Sequence, residues 1–203
     1  MPPKPNVEEQ RRQATIAAAV ECFSKRGYYA TKMDDVAAAA GMSKALIYYY
    51  FKNKQQLFLA VLDAWLAGFD SALTLIDPAA SASVKLRRLG QISVEMSEGA
   101  TEVMTLLFEF WAHASREPTL MGEIGKTIRR YREWVAEVIE DGIRNGEFRN
   151  IDPALTAVWL FAALDGLLAH WILDERAFSL RAAMESLLEN LLRALKKTKG
   201  DHE

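Results

Sequence analysis

Apolar side chains recur at helical spacing from one end of this chain to the other, and no stretch shows sustained strand alternation. That period predicts an all-α fold, because only a helix brings residues i, i+3, i+4 and i+7 onto one face. The chain has 203 residues, half of them hydrophobic. That suffices for a small domain joined to a larger one.

Glycine, proline and capping residues divide the pattern into about nine helices. The first runs from Val7 to Arg26, with Ile16, Ala19, Val20 and Phe23 on its apolar face and Gly27 as its stop. A short second helix follows Thr31, with Met33, Val36, Ala37 and Ala40 on one side; Thr31 and Asp34 have capping-box spacing. Gly41 ends it, and Ser43 caps a third helix through Tyr50. A long fourth helix begins near Lys54 and turns Phe58, Val61, Leu62, Trp65 and Phe69 inward. Beyond Asp77-Pro78, further helices are expected near 84–98, 102–115, 119–145, 153–175 and 179–197. Pro118, Gly146, the pair Asp152-Pro153 and Ser179 mark their ends. The domain boundary is expected inside the fourth helix, giving domains 1–55 and 56–203.

The segment Met33–Phe51 has the layout short helix, glycine turn, short helix, which is the helix-turn-helix plan. Two helices this short need a third, and the first supplies it. Ile47 and Phe51, four residues apart, are expected to face that small core, leaving Lys44, Ala45, Tyr48 and Tyr49 pointing away. In such a unit the N-terminal residues of the second helix reach base edges in the major groove. Lys44 suits guanine O6 and N7, and the small Ala45 suits a thymine methyl. Tyr48, Tyr49 and Tyr50 can donate hydroxyls to phosphates or stack at the groove wall, the alternative being a partly buried aromatic cluster, and Lys54 at the start of the fourth helix suits a phosphate. Charge supports this placement. Residues 1–55 carry nine Lys/Arg against five Asp/Glu, whereas the remainder carries 16 against 22. A basic module on an acidic body is what a one-ended nucleic-acid binder requires.

Val36-Ala37, Ala40-Gly41-Met42-Ser43-Lys44, Ile47-Tyr48-Tyr49-Tyr50-Phe51 and Lys54 with Leu57 resemble the DNA-binding signature of the TetR family of bacterial repressors. The motif covers about a quarter of the chain. The sequence departs from it at Ala45, Leu46 and Tyr50, where glycine, threonine and histidine are frequent, and at Lys32, often a threonine. The resemblance implies a cytoplasmic homodimer that binds near-palindromic double-stranded operator DNA and leaves it when a small effector enters the C-terminal domain. The candidate DNA contacts are Thr31, Lys32, Ser43, Lys44, Ala45, Leu46, Tyr48, Tyr49, Tyr50 and Lys54.

Ala154–Leu173 is apolar nearly all round and long enough to span a membrane. Asp165 and His170 inside it, acidic flanks at Asp152 and Asp174-Glu175, and an amphipathic helix after it favour a helix buried on two sides instead. The last helix carries Leu180, Met184, Leu187, Leu188, Leu191, Leu192 and Leu195. Pairing both helices with their copies in a second subunit predicts a four-helix bundle, with Trp159, Leu167, Met184, Leu188, Leu191 and Leu195 at the interface; the alternative is a monomer that keeps both helices in its own core. Large adaptable residues in the middle helices make a candidate effector pocket: Met96, Met104, Phe108, Trp111, Met121, Tyr131, Trp134 and Phe161, with His113 and Asp165 as polar groups. Their alternative is an ordinary core, in which His113 pairs with Glu109 four residues earlier.

The alternatives to a repressor are a helical adaptor or scaffold protein, or an activator on the same fold; no catalytic role is expected. The chain has no phosphate-cradling glycine loop and no nucleophilic triad, and its three histidines and one cysteine, Cys22, are too scattered for a zinc motif. No cofactor is implied. The opening MPPKPNVEEQRRQ lacks the apolar core of a signal peptide.

Overall fold

The computed structural model describes residues 7–99, 101–114 and 118–197; the side chains of 101, 102, 109, 110, 112–114, 118–120, 123 and 124 lie outside that description. Among the described residues there are nine helices and no strand. They are α1 (Val7–Ala30), α2 (Met33–Ala39), α3 (Lys44–Tyr50), α4 (Lys54–Thr74), α5 (Ala82–Glu98), α6 (Thr101–Ala114), α7 (Pro118–Arg144), α8 (Pro153–Leu173) and α9 (Leu180–Leu195). The chain divides into two compact units. One comprises residues through Asp70 with Glu102–His113, and the other Ser71–Thr101 with Ala114 onward.

In the first unit, the expected stop of α1 at Gly27 is a kink: helix continues to Ala30, but Gly27 sits at φ 76, a region that favours glycine. After it, Tyr28 turns inward and closes an aromatic cluster with Phe23 and Phe58, ring centroids 5.3–5.9 Å apart. Ile16, Ala19 and Phe23 of α1, Val36 and Ala37 of α2, Ile47 of α3 and Leu57, Phe58 and Val61 of α4 are buried. Burying each large side chain contributes about 1.5–3 kcal/mol.

The start of α2 differs by one residue from the spacing argument. Lys32 is the N-cap, and its N–H donates to Asp35 Oδ2 at 2.8 Å. Thr31 lies outside the helix with its hydroxyl 2.8 Å from the Gly27 carbonyl, so Thr31–Asp34 is not the capping pair.

In the second unit, α7 packs along α8, and α5 along α9. Gly90 makes the second contact possible, because a Cβ there would occupy the place of the Leu188 side chain. The C-terminus of α7 is tied to α5 by Glu147, whose carboxylate accepts from the Ala82 and Ser83 N–H groups at 2.9 and 3.0 Å. Burial pushes the Glu147 carboxyl up, but the hydrogen bonds at the start of α5 outweigh it and hold the group below the usual carboxylate range. Asp152 and Ser179 cap α8 and α9 as their spacing predicts.

One expectation about α9 changes. Met184, Leu188 and Leu195 are each under 5% exposed within the single chain. Met184 and Leu188 face Gly90 of α5 and are not available to a second subunit. Leu180, Met184, Leu188, Leu192 and Leu195 of the α9 stripe therefore cover the chain's own core, while Leu187 and Leu191 stay half-buried. Helix α8 is covered on one side by its own chain, the other side being the one expected to meet a second subunit. Thr156, Ala157, Leu160, Leu164 and Trp171 face inward, while Leu155, Val158, Trp159 and Leu173 remain exposed. Both α4 and α8 have the length and apolarity of a membrane-crossing helix, with mean hydropathy of 1.5 and 1.6.

Candidate nucleic-acid interface

The turn between α2 and α3 is built from backbone hydrogen bonds. Gly41, at φ 63, follows the C-cap Ala40. The Gly41 N–H donates to the Ala38 carbonyl at 3.2 Å, and the Met42 N–H to the Ala37 carbonyl at 2.9 Å. This pair of bonds satisfies carbonyls that the end of α2 would otherwise leave open, and only a residue tolerant of positive φ fits between them. Met42 then returns to α1, its sulfur 3.6 Å from the Thr15 hydroxyl. Ser43 caps α3 by accepting from the Leu46 N–H at 3.3 Å.

With that entry fixed, α3 has two faces. Ile47 is fully buried, and Phe51, the C-cap, is buried under the Arg12 guanidinium, 5.6 Å from its ring centre. Lys44, Ala45, Tyr48 and Tyr49 face outward, and Tyr49 is 71% exposed. Leu46 and Tyr50 are half-buried, with Tyr50 edge-on to Tyr49 at 5.2 Å. Ser43 and Lys32 are exposed beside them.

Two candidates occupy other roles. Thr31 is 1% exposed, and its hydroxyl is directed at the Cys22 and Gly27 carbonyls. Lys54 is not aimed outward. Its ammonium donates to the carbonyls of Tyr28, Tyr29 and Thr31 at 2.7, 3.0 and 3.0 Å, and lies 4.5 Å from the centre of the Tyr28 ring. An ammonium has three protons, so this arrangement engages all of them. Lys54 closes the C-terminal end of α1, where carbonyls lack helical partners, and does not reach for a phosphate.

The charges around α3 were only partly legible in the sequence. Lys44 Nζ lies 2.9 Å from Asp34 Oδ2 across the turn, with both side chains more than half exposed. The Asp34 hydrogen bond holds the Lys44 ammonium above its usual range. Asp35 is engaged elsewhere. The Lys32 N–H and then the Arg26 guanidinium, 2.7 Å away, hold its carboxyl below the usual range. Residues nine and ten apart give no helical-face signal, so neither pair follows from spacing.

The effector-pocket candidates fall in both units. Met104 is buried and Phe108 meets Trp111 edge-on at 5.4 Å in the first. In the second, Tyr131 is buried, Met96, Trp134 and Phe161 are half-buried, and Met121 is exposed. Asp165 is exposed by area, although atoms crowded around its carboxyl push it above the usual carboxylate range. The side chains of His113 and Glu109 lie outside the described residues. Trp134 lines a cavity of about 300 Å³ with Leu73, Ile76, Lys85, Glu137, Val138 and Asp141, which the other candidates do not line. Of the proposed interface residues, Trp159 is 59% exposed, and Leu167 and Leu191 are half-buried. Among the described residues no three His, Cys, Asp or Glu side chains are grouped to hold a metal.

Comparison with known proteins agrees with this geometry. Residues 16–61 match the family of bacterial regulatory proteins, tetR family, and residues 84–196 match the C-terminal domain of BetI-type transcriptional repressors. The HTH-type transcriptional regulator BetI of Rhizobium meliloti is 27% identical over 204 residues, covering 98% of this chain and 96% of BetI. A putative transcriptional regulator from Saccharomonospora viridis, solved in complex with choline, has the same fold: TM-score 0.83, 22% identity, 94% of this chain and 100% of that one. A putative TetR-family regulator from a Rhodococcus species gives 0.77 at 26% identity, covering 93% and 100%. The chain belongs to the TetR family of transcriptional regulators, which bind DNA through a helix-turn-helix and are not enzymes, and it carries a BetI-type C-terminal domain.

Proposed function

We propose that this regulator is a homodimeric repressor that leaves a near-palindromic operator when a small effector binds its C-terminal domain. Residues 1–55 do the reading, and residues 56–203 supply dimerisation and the effector site. The observation that carries the reading is the two-faced α3. Ile47 and Phe51 anchor it, while Lys44, Ala45, Tyr48 and Tyr49 stand on the open side. Lys32, Ser43, Leu46 and Tyr50 flank these four.

One such module reads too few bases for specificity, and two-fold operators match two-fold proteins. The exposed row Leu155, Val158, Trp159 and Leu173 on α8 is the face a second copy covers, with Leu167 and Leu191 at its margin. Burial against a second copy, rather than lipid, accounts for the apolarity of α8, and the protein acts in the cytoplasm.

The effector is a small apolar or aromatic molecule. A second reading, a small quaternary amine, is favoured by the cavity in which Trp134 stands with Glu137 and Asp141, two carboxylates against the one ammonium of Lys85. Such a cation is held by an aromatic face and nearby carboxylates, and the S. viridis neighbour was solved with choline. Effector and operator must then weaken each other reciprocally.

The test is fluorescence anisotropy with DNA from upstream of the protein's own gene, beside a scrambled duplex, at several salt concentrations. Affinity well above that for scrambled DNA, falling with salt and weakened in Lys44→Ala, supports the reading. Equal binding to both duplexes, followed by no enriched fragment in a genome-wide selection, overturns it.

A further inference from the structure

We propose that Asp34 sets discrimination between operator and other DNA, by holding the Lys44 ammonium in an ion pair so that Lys44 answers a base and not a phosphate. The inference rests on the DNA-binding reading above.

Asp34 lies in the first turn of α2 and Lys44 in the first turn of α3, and the glycine turn brings them to 2.9 Å. Both are more than half exposed, on the side of the module where Ala45, Tyr48 and Tyr49 are open. The pair is not part of the core, and an exposed pair of this kind does little for stability. Asp35 is turned to other partners, one oxygen accepting from Arg26 and the other from the Lys32 N–H.

The chemistry follows from counting donors. One proton of the Lys44 ammonium goes to Asp34, and two remain. Guanine offers two acceptors in the major groove, O6 and N7. The pair keeps Lys44 on the groove-facing side with those two protons available. A phosphate gains much less from it, because affinity for the backbone comes from unpaired cations that release counterions. Asp34 also places a negative charge where a misdocked backbone would pass. Both effects lower binding to DNA that lacks the correct base and spare binding to DNA that has it.

The experiment compares two duplexes: one selected from random sequence by the wild-type protein, and a scrambled control. Binding of wild type, Asp34→Asn, Asp34→Glu, Lys44→Ala and the double variant Asp34→Asn/Lys44→Ala is measured by anisotropy from about 50 to 200 mM salt. Freeing one cation steepens the salt slope by about 0.9, or roughly eightfold tighter binding to scrambled DNA near 0.1 M salt. Asp34→Asn is expected to show that gain on scrambled DNA and none on the selected duplex. Asp34→Glu keeps the charge and retains discrimination, and Lys44→Ala removes the effect of Asp34→Asn. An unchanged ratio of affinities in Asp34→Asn, or the same gain in the double variant, overturns the proposal. Failure of the wild type to select any duplex is a different result: it overturns the DNA-binding reading, and the role of Asp34 falls with it.

Discussion

Replacing Lys54 by methionine keeps the aliphatic stem and removes the ammonium that donates to the Tyr28, Tyr29 and Thr31 carbonyls. Two of these contacts are partly buried and one is exposed. A hydrogen bond to a charged group contributes about 1.5–3 kcal/mol where it is shielded and less where water competes. Counting the two shielded contacts in part and the exposed one as small gives a loss of about 2–3 kcal/mol on the same principle. For a chain of this length that lowers Tm by roughly 5–10 °C. The assay is a thermal melt followed by circular dichroism at fixed protein concentration, with operator anisotropy run in parallel. A phosphate-contacting lysine behaves in the opposite way. Its loss leaves Tm in place and reduces the salt slope of DNA binding by about 1. An unchanged melt with that reduced slope would refute the assignment of Lys54 as a clamp.

Other perturbations follow from the second unit and from α8. Trp159→Glu places a charge on the exposed row of α8 and is expected to convert the proposed dimer to monomers in analytical ultracentrifugation; a dimer of unchanged affinity would remove α8 from the interface. Gly90→Ala forces Leu188 to shift and is expected to cost about 1–3 kcal/mol in urea unfolding. The cost should shrink in a Leu188→Ala background, and equal costs in both backgrounds would contradict the close approach of α5 and α9. Glu147 is depressed in the fold, so its stabilisation is complete above its unfolded value near 4.5 and fades as pH falls through the lower folded value. The stability gap between wild type and Glu147→Gln is therefore expected to close as pH drops from about 6 to 3. A constant gap across that window would mean that the carboxylate charge is not what holds the start of α5.

Helix ends and the small core of the reading module were legible because their causes are local. Gly41, Ser43, Asp152 and Ser179 act on backbone groups within a few residues, and Ile47 and Phe51 are four apart on one turn. The roles of Thr31 and Lys54 were not, because both depend on carbonyls at a kink that the sequence shows only as a glycine. The burial of Met184, Leu188 and Leu195 of α9 inside the chain was not legible for a different reason. An apolar face reports that something covers it, and a core helix and a subunit interface have the same period. What decides between them is Gly90, nearly a hundred positions away, whose missing side chain admits Leu188 to α5. With Met184, Leu188 and Leu195 satisfied inside the chain, the uncovered apolar surface moves to Leu155, Val158 and Trp159 of α8.

The clamp also bears on how an effector could act. Lys54 is the first residue of α4, a helix that runs on to Thr74 and so leaves the first unit after Asp70. Its ammonium is bonded to the segment Tyr28–Thr31, and the next residue, Lys32, is the N-cap of α2. Helix α2 in turn enters the Gly41 turn that sets the direction of α3. A shift or rotation of α4 therefore cannot leave the reading helix in place without breaking charged hydrogen bonds at its own first residue. A flexible junction at this point would let α4 move and leave α3 in its groove, and effector binding would then have no effect on DNA affinity. On this account Lys54→Met should do more than lower stability. It should weaken the reciprocal antagonism between effector and operator, measured as the ratio of operator affinities with and without effector. A variant that melts earlier yet keeps the wild-type ratio would show that the coupling runs through the buried contacts of Phe58 with Phe23 and Tyr28, and not through the ammonium.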